Sequence, residues 1–190
     1  MERDLDGRSR VVILNGVGSV GKTSTARALQ QIAAAPFLHV PMDAFVSMLP
    51  ERMLGHPDGV TFEPQDDRGK PSTLIRSGPV MARAMKGMRR AIAAMAGQGN
   101  DLIVDDIMVG AGEAEEYRVL LAPFDLRMVG LFAPLEVLES RERAQGDREI
   151  GLARWQYSRV HLGLAYDLEV DTTATTPMEC AERIRDTFEL

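Results

Sequence analysis

The run VVILNGVGSVGKTSTARAL, Val11 to Leu29, constrains this chain more than any other feature. It reads as a buried strand, a glycine turn and an amphipathic helix. Within it Gly16, Gly21, Lys22 and Thr23 stand at the spacing of a phosphate-binding loop. Gly16 and Gly21 let the backbone curl so that consecutive N–H groups point inward, and Gly18 adds freedom. A helix starting near Lys22 brings the positive end of its dipole to the same point. Lys22 is long enough to reach β- and γ-phosphates, and the Thr23 hydroxyl is a ligand for Mg²⁺. The candidate cradle is therefore Gly16, Val17, Gly18, Ser19, Val20, Gly21, Lys22, Thr23 and Ser24. A glycine-rich turn that binds nothing has the same local pattern. The strand before it and the helix after it are the context that nucleotide binding requires.

The rest of the chain sets bounds. Its 190 residues suit one domain, expected over 10–190, with 1–9 as a frayed tail. A net charge of −6 argues against a general DNA or RNA binder, which needs a basic face. Cys180 is the only cysteine, so no disulfide or cysteine metal cluster forms within the chain; it reads as a small buried hydrophobe. No apolar run approaches membrane-spanning length, and MERDLDGRSR is too charged for a signal peptide. These features fit a soluble protein of a reducing, nucleotide-rich cytoplasm with neither nucleic-acid nor membrane partners.

Short apolar runs alternate with helical patterns. Strands are expected at Arg10 to Asn15, Phe37 to Val40, Leu102 to Asp105, Leu126 to Phe132 and Leu168 to Asp171, each suited to burial on both faces of a parallel sheet. Helices are expected at Lys22 to Ala33, Ala44 to Leu49 and Gly78 to Ala96. Another opens at Pro134, and Thr176, Pro177 and Glu179 form a capping box for the last. This alternation predicts a three-layer α/β fold. Met81, Met85, Met88, Ile92 and Met95 recur at helical spacing and read as core packing. The segment 55–73, GHPDGVTFEPQDDRGKPST, shows no clear period and reads as an irregular flap on the acceptor side or as a surface insertion.

Ligands of open parallel sheets bind beyond the carboxyl ends of the strands. Asp43, Asp105, Asp106, Thr172 and Thr173 all fall at such ends. Asp105 completes an apolar run in the manner of a Walker-B carboxylate and is the first choice as a second metal ligand; Asp106 should turn the other way or cap the following loop. Asp43 is placed to accept a proton from an acceptor hydroxyl, or it is simply the N-cap of the following helix. Arg141, Arg143 and Arg148 lie in SRERAQGDREIG, which reads as a lid over 141–150 or as a solvated helix end paired with its own acidic neighbours. His39, His56 and His161 show no metal-ligand spacing. Trp155 and Tyr157 read as packing residues.

Taken in order, VVILNGVGSVGKTS, VPMDAF, IVDDI, RERAQGDR and YDLEVDTT resemble the chloramphenicol phosphotransferase family of P-loop kinases. The resemblance implies a five-stranded parallel sheet flanked by helices, the use of ATP and Mg²⁺, and transfer of the γ-phosphate to a hydroxyl of a small molecule, first a chloramphenicol-like antibiotic. It implies Asp43 as general base, with Lys22, Arg141 and Arg148 around the transferring group. One departure stands out: the family lid resembles Arg-x-x-x-Arg-Gly-Asp-Arg, and here Gln145 occupies the second arginine's place, with Arg143 as a substitute two residues earlier. A metabolic or nucleoside kinase is the alternative if Arg76, Arg83, Lys86, Arg89 and Arg90 face the site and hold an anionic acceptor. A nucleotide-dependent regulatory module is the alternative if Asp43 points away from the loop.

Overall fold

The computed structural model of the protein describes residues 7–146 and 149–190. Five parallel strands form the central sheet in the order β2-β5-β1-β6-β7. They are β1 (Arg10–Asn15), β2 (Phe37–Pro41), β5 (Asp101–Asp106), β6 (Asp125–Phe132) and β7 (Leu168–Asp171). The uninterrupted apolar character of β1 follows from its central place: Val11 through Leu14 are fully buried. Alternate residues of a strand face opposite sides. Val12 and Leu14 pack with Ala26, Leu29 and Ile184 of helices α1 (Lys22–Ile32) and α7 (Pro177–Phe188). Val11 and Ile13 pack with Met88, Ile92 and Tyr117 of α3 (Pro79–Gly97) and α4 (Ala111–Leu121). Met88 and Ile92 of the methionine stripe thus lie in the second core with Met85 and Met95 packed against it, as the spacing predicts. The capping box is present: Glu179 N donates to Thr176 Oγ1 at 3.2 Å and Thr176 N donates to Glu179 Oε2 at 2.7 Å.

Three expectations need correction. The segment 55–73 is not irregular: most of it belongs to an antiparallel hairpin of β3 (Val60–Asp67) and β4 (Lys70–Ser77). Arg68 and Gly69 link the strands with φ of 56° and 80°, the two positive values that a tight hairpin turn requires. Pro64 and Pro71 are tolerated because a two-stranded ribbon has only edge strands. Helix α2 (Met42–Val46) begins two residues earlier than expected, directly after Pro41. Finally, Ser9 is no part of a frayed tail; it is buried, and its hydroxyl donates to Ala96 O at 2.7 Å. The rest of that expectation, residues 1–6, lies outside the described residues.

The hairpin returns to the body of the molecule at α6 (Leu152–Tyr157). Thr73 N donates to Gly151 O at 3.0 Å and Thr73 Oγ1 to Ile150 O at 2.7 Å. Gly151 has φ of 96°, and a Cβ there would come within 2.8 Å of Ser72 Cα. Arg154 of α6 pairs with Asp67 of the hairpin and with Glu139 of α5 (Leu135–Gln145). Glu142 of α5 accepts hydrogen bonds from Gly151 N and Ala153 N, both at 2.8 Å. Hairpin, α6 and α5 are therefore joined by polar contacts on one side of the sheet's carboxyl edge.

Candidate active site

The phosphate loop joins β1 to α1. Gly16 has no room for a side chain, since a Cβ would lie 2.8 Å from both Leu131 O and Val20 Cγ1. Gly21 precedes α1 with φ of 100°, a conformation that favours glycine. Buried Lys22 donates from Nζ to Gly16 O at 2.8 Å and Val17 O at 3.1 Å. Two glutamines brace the loop from outside: Gln156 Oε1 accepts from Gly18 N at 2.7 Å, and Gln145 Oε1 accepts from Ser19 Oγ at 2.9 Å. Asn15 anchors its base. Asn15 Nδ2 donates to Val160 O at 3.0 Å and Tyr166 Oη at 2.7 Å, while its Oδ1 accepts from Met108 N at 2.8 Å.

The two carboxylates ending β5 diverge, as alternation demands. Asp105 Oδ2 accepts from Thr23 Oγ1 at 2.6 Å and lies 3.3 Å from His39 Nε2. Burial alone pushes the Asp105 pKa up. His39, the charge of Lys22 and the Thr23 hydroxyl outweigh burial and hold it below the usual carboxylate value. Asp106 faces the other core, where it accepts from Tyr117 Oη at 2.8 Å and Ile107 N at 2.7 Å. There burial dominates and raises its pKa. Of the two, Asp105 is the one that meets the phosphate-loop helix and lines its cavity. Thr23 Oγ1 and Asp105 Oδ2 together form the hard oxygen pair suited to Mg²⁺, which takes one or two protein oxygens and completes its shell from phosphates and water. Among the described residues no three histidine, cysteine or carboxylate side chains cluster as a metal cage.

A cavity of about 390 Å³ opens between these groups and α2. Ser19, Gly21, Lys22, Thr23, Ser24, Arg27, Asp43, Asp105 and Gln145 are among the residues lining it. Asp43 lies in the first turn of α2 without making a side-chain cap bond, so the capping alternative fails. Among the described residues its carboxylate has no hydrogen-bond or ion-pair partner. A second cavity, of about 400 Å³, adjoins the first through Ser19, Gly21, Ser24 and Gln145 and runs past Val20, Thr25, Arg141, Thr172 and Cys180.

The expected lid residues separate. Arg141 lines the second cavity, where Nη2 donates to Thr172 O at 2.6 Å and Nη1 to Thr172 Oγ1 at 3.2 Å. It is bound to the exit of β7 and does not line the cavity of Lys22 and Asp43. Arg143 is exposed and lines neither cavity. Arg148 lies outside the described residues. Of the remaining loop residues, Val17 and Val20 line a third cavity with Phe132 and His161. The ring of His161 stacks on Phe132 at 3.9 Å. Burial, aided by the charge of Lys22, lowers its pKa to about 4.

Sequence reasoning missed Gln156, His39 and Arg27. The glutamine and the histidine act through bonds to Gly18 and Asp105, which no local spacing announces. Arg27 stands four residues after Thr23, a spacing that puts both on one face of α1. The basic residues near α3 do not line the site. Arg89 is buried against Glu116 at 2.7 Å, Arg76 and Arg90 pair with Glu63 and Glu116, and Arg83 and Lys86 are exposed.

The model of a family described as chloramphenicol phosphotransferase-like protein matches residues 9–189. The chain belongs to that family. A Mycobacterium tuberculosis protein, provisionally named an O-phosphotransferase, is 30% identical over 185 residues, covering 95% of this chain and 82% of its own length. The protein is thus an O-phosphotransferase, a kinase acting on hydroxyl groups. Solved structures agree on the fold. The M. tuberculosis APS kinase in complex with AMPPNP and APS superposes with a TM-score of 0.67 at 18% identity, over 96% of this chain and 99% of its own. The Deinococcus radiodurans tunicamycin resistance protein gives 0.65 at 19% identity, over 96% and 97%. The five-stranded parallel sheet flanked by helices is the P-loop kinase fold that the sequence predicts. Among the described residues no helix is long and apolar enough to cross a membrane.

Proposed function

We propose that the protein moves the γ-phosphoryl group of ATP to a hydroxyl of an uncharged small molecule, with a chloramphenicol-like antibiotic as the first candidate. The observation that carries this reading is that Lys22 and Asp43 line one cavity. The loop amides and Lys22 bind the phosphates and stabilise charge on the bridging oxygen as it leaves. Asp43 accepts the proton of the acceptor hydroxyl while that oxygen forms a bond to phosphorus and the bond to the ADP oxygen breaks. Thr23 and Asp105 would hold Mg²⁺, which supplies neutralisation of phosphate charge. In this reading the second cavity, lined by Arg141, takes the nucleoside end of ATP, since Arg141 does not line the cavity of Lys22 and Asp43. An uncharged acceptor is supported by the placement of Arg76, Arg83, Lys86, Arg89 and Arg90, all paired with glutamates or exposed and none lining the cavity.

Incubation with ATP, Mg²⁺ and a panel of hydroxylated antibiotics, nucleosides and sugars tests this directly. A phosphate-sized mass gain on a neutral alcohol is expected. Exclusive phosphorylation of anionic acceptors would overturn the substrate class, and no phosphorylated product of any kind would overturn the reaction.

A further inference from the structure

We propose that Arg27 is a catalytic residue of this site: it grips the terminal phosphoryl group from the acceptor side, supplying from α1 a charge that the lid position at Gln145 lacks. This rests on the phosphotransfer reading above. Transfer spreads negative charge over the equatorial oxygens of the moving group, which calls for more than one cation. Among the described residues, two cations line the cavity shared by Lys22 and Asp43: Lys22 and Arg27. The described lid does not add a third. Gln145 faces the loop as a neutral amide bonded to Ser19, Arg141 is bonded to Thr172, and Arg143 is exposed away from the cavity.

Arg27 has the geometry for the task. It lies one helical turn after Thr23 on the same face of α1, about 6 Å further along the axis. Helical side chains lean toward the N-terminus of their helix, so an arginine at this position extends back toward the loop. Its guanidinium is exposed and, among the described residues, makes no hydrogen bond or ion pair, although Asp43 and Asp105 line the same cavity. Other arginines of the molecule are paired with carboxylates: buried Arg89 with Glu113 and Glu116, and half-buried Arg154 with Asp67 and Glu139. Arg27 thus keeps its planar fork of donors available beside the place where a terminal phosphate sits between Lys22 and Asp43.

The test compares two nucleotides that differ by that phosphate. Binding of AMPPNP and of ADP, both with Mg²⁺, is measured by calorimetry for the wild-type protein, Arg27→Gln and Arg27→Lys. Arg27→Gln should weaken AMPPNP about ten- to a hundredfold, the worth of a charge-assisted hydrogen bond, and leave ADP unchanged. Arg27→Lys should recover part of the loss. Unchanged discrimination between AMPPNP and ADP in Arg27→Gln overturns the assignment, as does an equal loss for both nucleotides. Wild-type protein that binds neither nucleotide overturns the phosphotransfer reading itself, a failure recognisable without any variant.

Discussion

The two walls of the central cavity are built on opposite plans. On the wall made by the phosphate loop and the end of β5, the polar groups hold one another: Lys22 on Gly16 and Val17, Thr23 on Asp105, His39 beside Asp105, Gln145 on Ser19. On the wall made by α2 and the second turn of α1, Asp43 and Arg27 have no partner among the described residues. The first wall spends its hydrogen bonds on fixing a shape, which suits a ligand part that never varies. The second keeps its charges uncommitted, which suits the groups that meet an acceptor and a moving phosphate. Preorganisation of one wall lets the other remain open without loss of geometry.

Substitutions on either wall should therefore fail differently. Asp43→Asn should lower turnover by about two to four powers of ten while AMPPNP binds as in the wild type, if Asp43 is the proposed general base. Lys22→Met should lower turnover by about two to three powers of ten and weaken nucleotide binding as well. Similar profiles for the two variants would erase the contrast. A smaller effect is expected where the hairpin meets α6. Gly151→Ala forces a side chain into a positive-φ position 2.8 Å from the Ser72 backbone, at a cost of about 1–3 kcal/mol. Thermal unfolding should show that loss, and the Michaelis constant should rise for the acceptor more than for ATP.

The smallest expected effect is on acid stability. His161, behind the loop, is held neutral, with its pKa lowered from 6.5 to about 4. The unfolded chain takes up a proton that the folded protein refuses, so this contribution is complete above pH 6.5 and is lost as pH falls toward 4. His161→Phe should flatten that part of the stability profile in urea titrations. An unaltered slope would show that the acid sensitivity lies elsewhere.

The nucleotide wall was legible in the sequence because glycine spacing and unbroken apolar runs carry it. Strand ends at Asn15 and Asp171, the methionine face of α3 and the capping box at Thr176 followed from periodicity and local chemistry, while β5 runs one residue past the expected Asp105. The hairpin was hidden because Pro64, Pro71 and the run QDDRGK interrupt its alternation, and Arg68–Gly69 is a less familiar turn pair than Asn–Gly. The braces were hidden for another reason. Gln145 and Gln156 meet the loop across more than a hundred residues of chain, and neutral amides belong to no motif. Nor does any local pattern announce the carbonyl of Thr172 in front of Arg141.

Trp155 is the only tryptophan of the chain and sits half-buried on α6, between the residue that binds Asp67 and the one that holds Gly18. The seam between hairpin and phosphate loop therefore carries its own fluorophore. Emission from this single indole should follow the docking of the β3–β4 ribbon without a label or an added probe.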